Sequence, residues 1–167
     1  MNDYLGGIKL YLDDVLYYGI NYAFGKFIKP DLVFESVTEI TADEVDILIN
    51  RYGIRGIILD VDGTLRFNMG DIPEENSKWL DMITSKLKVI VVSNGIDKKM
   101  KTTLQSKGIE YIGFAHKPLK RSFLMSANML DLAPSQIAVI GDDIISDIYG
   151  GRRNKMFTIK ITKPFNS

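Results

Sequence analysis

The chain contains no cysteine, which excludes disulfides and thiolate chemistry and suits a reducing cytosol. It carries no charge excess either: Lys+Arg and Asp+Glu each count 21, so the net charge is +0. Without a global basic field, no nucleic-acid partner is expected. Long apolar runs are missing as well. The longest uncharged stretch near the N-terminus, Val15 to Gly25, falls short of the roughly 20 apolar residues that a membrane-spanning helix needs. The same region lacks the basic start and small-residue cleavage site of a secretory signal, and it places Asp3, Asp13 and Asp14 early. The expected location is therefore cytoplasmic, free or peripheral to the inner face of the membrane, and not integral.

What is present fits a soluble domain. The composition is 46% hydrophobic and 25% charged over 167 residues, enough for one sizeable core with little room for a second. Past the first 30 residues, short β-rich runs alternate with helical stretches. Thr41-Ala-Asp-Glu44 reads as a capping box opening a helix that ends near Gly53. Five strands are expected, at Gly56–Leu59, Val89–Val92, Tyr111–Phe114, Ile137–Ile140 and Phe157–Ile161. Helices are expected over Glu74 to Lys86, Asp97 to Lys107, Pro118 to Leu130, and briefly after Ser146. This alternation predicts an α/β fold, a three-layer α/β/α sandwich around a mostly parallel sheet. Ligands bind such sheets at the carboxyl ends of the strands.

Chemically able residues stand at four of those ends. Asp60-Val-Asp62-Gly-Thr64 follows an apolar strand directly; alternation puts both carboxylates on one side, and Gly63 permits a sharp turn. Two carboxylates so close need a cation between them or a shared proton. Magnesium held by carboxylate and carbonyl oxygens answers the first need, and a protonated Asp answers the second as a general acid. Gly141-Asp142-Asp143 through Ser146-Asp147 supplies further oxygens. Ser93-Asn94-Gly95 and His116-Lys117 end the other two strands. Taken singly, each could be an ordinary turn or a solvated lysine. Together, and in this order, they are a nucleophile, hydroxyl and amide donors, a cation and metal ligands, which is what a phosphoryl group requires.

In that order the motifs resemble those of the haloacid dehalogenase (HAD) superfamily of phosphatases. Lys29-Pro-Asp31, Gly53 to Leu59, Ala115-His-Lys-Pro118 and Gly150-Gly-Arg-Arg153 are similar to its class IIIA YqeG family and, more distantly, to mitochondrial phosphatidylglycerophosphate phosphatases. One departure is Gly63, where members of this group often carry Asn; glycine is the commoner residue across the superfamily. The resemblance implies that Asp60 is the nucleophile and that Asp62 is the acid and then the base. Asp60, the main-chain carbonyl of Asp62, and Asp142 would hold Mg²⁺. Thr64, Ser93 and Asn94 would bind the phosphate, and Lys117 would balance charge. Asp147 would orient Lys117 or a metal-bound water, and Asp143 would support the metal ligands. His116 is the single histidine and receives no proton-transfer role.

Superfamily members usually gain specificity from an inserted cap domain. Here the stretches from Leu65 to Val92 and from Gly95 to Lys117 hold a helix and short connections, so an open site is expected. An open site suits a bulky substrate, and phosphatidylglycerophosphate or a related lipid phosphate is the substrate expected. Soluble sugar or nucleotide phosphates are the alternative. A receiver-like phospho-aspartate switch is the alternative of another class; Asp62, two residues past the nucleophile, favours the hydrolase. The core domain is expected over residues 29–167, preceded by an aromatic amphipathic extension over residues 1–28. There Leu5, Ile8, Leu12, Val15, Leu16, Tyr22, Ala23 and Phe27 recur at near-helical spacing among several tyrosines. That segment could pack on the domain, pack on a second subunit of a homo-oligomer, or lie in a membrane interface. Its polar face lacks the Lys/Arg density that anionic lipid attracts.

Overall fold

The computed structural model describes residues 27–67 and 70–162. The expected amphipathic run before Phe27 lies outside the described residues. Within them the chain runs β1 (Leu32–Phe34), a 3-10 turn (Val37–Glu39), α1 (Ala42–Tyr52), β2 (Gly56–Leu59), α2 (Glu74–Lys86) and β3 (Lys88–Val92). It continues through α3 (Lys98–Ser106), β4 (Glu110–Ile112), α4 (Lys120–Leu130), a 3-10 turn (Pro134–Gln136) and β5 (Ile137–Gly141). A π-helical turn (Ile144–Tyr149), α5 (Gly150–Arg153) and β6 (Phe157–Ile161) complete it.

All strand pairs are parallel, in the order β1-β6-β5-β2-β3-β4. Both faces of the sheet are covered, as parallel sheets require. Strand alternation divides the core in two. Ile57, Leu59, Val91, Ala138, Ile140 and Ile159 face α1, α2 and α3 through Val45, Leu48, Trp79, Leu80, Ile83 and Leu104. Ile58, Ile90, Val92 and Val139 face α4 through Phe123, Ala127 and Leu130. Each such side chain, fully removed from water, contributes roughly 1.5–3 kcal/mol. The result is the expected three-layer sandwich, with six strands where five were expected.

The sixth strand, β1, is only three residues long, too short for a periodicity to register. It is held at the sheet edge by a partner distant in sequence: Asp31 Oδ2 accepts from Thr158 N and Oγ1, both at 2.8 Å. Other boundaries follow local geometry. Thr41 Oγ1 accepts from Glu44 N at 3.4 Å, and Gly53 closes α1 in the left-handed region (φ 71°). β4 stops at Ile112, short of Phe114, because Phe114 (φ 49°) turns its amide to Gly95 O at 3.1 Å. α4 begins at Lys120, after a turn closed by Leu119 N donating to His116 O at 2.9 Å, so Pro118 precedes the helix.

The register places the site. Gly56–Leu59 of β2 pair with Lys88–Val91 on one side and Ile137–Ile140 on the other. Asp60 N extends this ladder by donating to Ile140 O at 2.9 Å, and Ser93 N donates to Ile112 O at 2.9 Å. Asp60, Ser93 and Asp142 therefore leave three adjacent strands at one edge.

Candidate active site

At that edge lies an open cleft of about 290 Å³, lined by Asp60, Asp62, Ser93, Asn94, Lys117 and the loop from Asp142 to Asp147. Its centre is a buried ion triad. Lys117 Nζ lies 2.5 Å from Asp60 Oδ1 and 2.7 Å from Asp147 Oδ1, with Lys117 and Asp147 almost wholly enclosed. Burial favours the neutral amine, but the two carboxylates outweigh it and hold the Lys117 ammonium well above the ordinary lysine range.

Asp60 responds in the opposite sense. Burial first, and then the like charge of Asp147, push its carboxyl from 3.8 up to about 7, with Lys117 offsetting only part of the rise. Asp142 is also raised, by burial and then by Asp147. The carboxylates thus outnumber the one buried cation, and the protein's own charges do not balance. Oxygens of Asp60, Asp142 and Asp147 lie within 4.8 Å of one another, a hard-oxygen donor set of the kind magnesium takes. Two glycines make this crowding possible. A side-chain carbon on Gly63 (φ 82°) would overlap the Asp142 carboxylate, and one on Gly141 would overlap that of Asp147.

The loop after β5 is shaped by its own acids. Asp143 Oδ1 accepts from Ile145 N at 2.9 Å and Ser146 N at 2.6 Å, capping the π-helical turn. Asp147 Oδ2 accepts from Asp143 N at 3.2 Å while its other oxygen holds Lys117. Asp147 thereby ties the loop after β5 to the lysine. Lys160, from β6, donates to the main-chain oxygen of Asp142 and anchors the same loop.

The structure brings Asp60, Asp62, Ser93, Asn94, Lys117, Asp142, Asp143 and Asp147 to one cleft. It does not bring Thr64 there. Turn bonds from Leu65 N and Arg66 N to Val61 O (2.8 and 3.0 Å) carry Thr64 inward, where it is fully buried. Its Oγ1 finds no hydrogen-bond partner. Thr64, expected to bind phosphate, thus does not line the cleft. His116 (φ 51°) is exposed and does not line the cleft.

Three contributions escaped the sequence reading. Asn94 grips the Lys117 peptide from both sides: its Oδ1 accepts from Lys117 N at 2.6 Å and its Nδ2 donates to Lys117 O at 3.2 Å. Arg66, itself buried, reaches Asp62 Oδ1 at 2.8 Å and Asp97 Oδ2 at 2.6 Å. Asp97 in turn accepts from Met100 N at 3.0 Å and caps α3. The capping amide first, and then Arg66, hold its carboxyl below the usual range. A cation four residues after Asp62 is a visible signal for this clamp. Nothing in the sequence marks Lys160 or the second role of Asn94, because both depend on strand adjacency.

Comparison with known proteins agrees with this arrangement. A family model described as HAD-hydrolase-like matches residues 114–163. A Bacillus subtilis (strain 168) protein described as probable phosphatase YqeG is 29% identical over 138 residues, spanning 81% of this chain and 78% of that protein. In fold, the chain is similar to an uncharacterized protein from Listeria monocytogenes serotype 4b (TM-score 0.56, 18% identity, 65% of this chain and 79% of that one). It is also similar to 3-deoxy-D-manno-octulosonate 8-phosphate phosphatase from Yersinia pestis (TM-score 0.54, 22% identity, 71% and 69%). In the order of its motifs along the sheet and in these likenesses, the chain is similar to HAD-like hydrolases and to the probable phosphatase YqeG.

Proposed function

We propose that the protein is a magnesium-dependent phosphomonoesterase that works through a phospho-Asp60 intermediate and acts on phosphatidylglycerophosphate or a related lipid phosphate. The observation that carries the chemistry is the Lys117 bridge between Asp60 and Asp147, with Asp142 alongside, at the ends of adjacent parallel strands. Magnesium, when bound by Asp60, Asp142 and the Asp62 carbonyl, would neutralise the surplus carboxylate charge and draw electron density from the phosphoryl oxygens.

The remaining steps belong to the chain's own residues. Lys117 fixes one oxygen of Asp60 and favours its ionised form; the carboxylate attacks phosphorus in line. A phosphorus–oxygen bond to Asp60 forms as the ester bond breaks, and Asp62 protonates the departing alkoxide. Ser93 and the Asn94 amide hold equatorial oxygens, with Lys117 opposing their charge. Water then attacks the phosphorus of phospho-Asp60 while Asp62 takes up its proton, releasing inorganic phosphate and restoring the carboxylate. Asp62 is about half-exposed, which suits exchange of that proton with solvent.

The lipid reading is supported by the family resemblance and by the openness of the cleft. β2, β3 and β4 are joined through single helices, leaving the leaving group's bulk to remain outside the cleft. Among the described residues no helix is long and apolar enough to cross a membrane. A panel of lipid, sugar, nucleotide and peptide phosphates assayed with Mg²⁺ tests the reading. Release from phosphatidylglycerophosphate in mixed micelles is expected to dominate. Efficient cleavage of small soluble esters with none from the lipid would transfer the assignment to soluble phosphates.

A further inference from the structure

Two loops at the site edge of the sheet end in exposed apolar side chains. Ile96, 54% exposed, follows Ser93-Asn94-Gly95 after β3. Phe114, 60% exposed, and Leu119, 57% exposed, bracket Lys117 after β4. The two loops adjoin: Phe114 N donates to Gly95 O at 3.1 Å, and a side-chain carbon at Gly113 would come within 3.4 Å of Ile96 Cγ1. One exposed Leu or Phe needs no explanation. Three on adjoining loops beside the lysine of the cleft form a rim.

Cations accompany the rim. Lys98 opens α3, and Lys120 and Arg121 open α4; all three are exposed, and no acidic residue occupies either first turn. Lys99 is taken up by Asp71 at 2.6 Å, whereas no carboxylate among the described residues pairs with Lys98, Lys120 or Arg121. A cation in the first turn opposes the helix dipole. Helix stability therefore does not account for them, and an external anion would.

We propose that this rim docks on an anionic lipid bilayer. Ile96, Phe114 and Leu119 enter the headgroup region, and Lys98, Lys120 and Arg121 meet lipid phosphates, so the cleft faces phosphomonoesters carried by that surface. Exposed apolar tips on loops that lead into helices opening with cations suit an interface that is anionic above and apolar below, where buried apolar area and charge act together. The proposal rests on reading the cleft as a phosphomonoesterase site, which the experiment tests separately.

The full chain is floated with vesicles of phosphatidylcholine, with and without phosphatidylglycerol, at low and high salt. Turnover of p-nitrophenyl phosphate with Mg²⁺ is measured on the same samples. Binding to the phosphatidylglycerol vesicles that weakens with salt is expected. Both I96S/F114S/L119S and K120E/R121E should bind about tenfold more weakly or worse, with p-nitrophenyl phosphate turnover within about twofold of wild type. No vesicle binding by the wild type, or undiminished binding by both variants, overturns the proposal. So does light scattering in which I96S/F114S/L119S converts a dimer to a monomer, which would assign the rim to a second copy. Variant-sensitive vesicle binding without any ester turnover would uphold the rim and sink the catalytic reading instead.

Discussion

Replacing Asp60 by Asn changes one oxygen-bearing group for a near-isosteric neutral one, and its consequence for stability depends on pH in a way that can be worked out beforehand. Burial and Asp147 raise the folded-state carboxyl from 3.8 to about 7. A carboxyl raised on folding contributes stability that is fully present below its unfolded value and is lost as pH rises through the folded one. In metal-free wild type, this single group should therefore withdraw stability as pH climbs from about 4 to beyond 7. Between pH 5 and pH 8 the loss is on the order of 3 kcal/mol. The substituted carboxamide does not titrate, so D60N avoids that loss. It also forfeits the attraction to Lys117, but that attraction acts only on the ionised carboxylate and is already contained in the raised value, so it adds nothing separate to the pH difference. The assay is urea unfolding of both proteins in chelator at pH 5 and pH 8. D60N should gain on wild type by about 3 kcal/mol between the two, and Mg²⁺ at pH 8 should close the gap by stabilising wild type preferentially. A wild-type–variant difference that is the same at both pH values would refute the argument that Asp60 is a desolvated carboxyl. D60N should also release no phosphate from any ester, because the loss is of the nucleophile.

Three further perturbations follow from the same geometry. Lys117→Met leaves Asp60 and Asp147 buried without their cation, so thermal or urea unfolding should show about 3–5 kcal/mol of destabilisation along with lost turnover; a variant as stable as wild type would contradict the buried triad. Thr64→Val removes a buried hydroxyl that has no partner while keeping the side chain's shape, so stability should rise by about 1 kcal/mol with KM unchanged; a raised KM would restore Thr64 to the phosphate site. Chelation of divalent ions should silence ester hydrolysis, and added Mg²⁺ should recover it; steady turnover in chelator would remove the metal from the proposal.

Much of this protein was decided locally. Gly56–Leu59, Glu74–Lys86 and Phe157–Ile161 are legible because each is long or apolar enough for its own pattern to specify its conformation. Four motifs spaced by single strand–helix units can also be placed at one sheet edge from sequence, since parallel strands with right-handed crossovers deliver their carboxyl ends to the same side. That is why Asp60, Ser93, Lys117 and Asp142 could be named together. Local pattern has no access to what depends on which strands become neighbours. β1 exists because Asp31 meets Thr158, Asn94 steadies Lys117 because β3 and β4 pair, and Lys160 reaches Asp142 because β6 lies beside β5. Thr64 marks the same boundary from the other side. Its place in the motif suggests a ligand, but the hydrogen bonds of the turn around it send its hydroxyl into the core. Residue order settled the chemistry that is available at the site. Contacts between chain segments far apart in sequence settled which groups are desolvated, which are paired and which face the cleft.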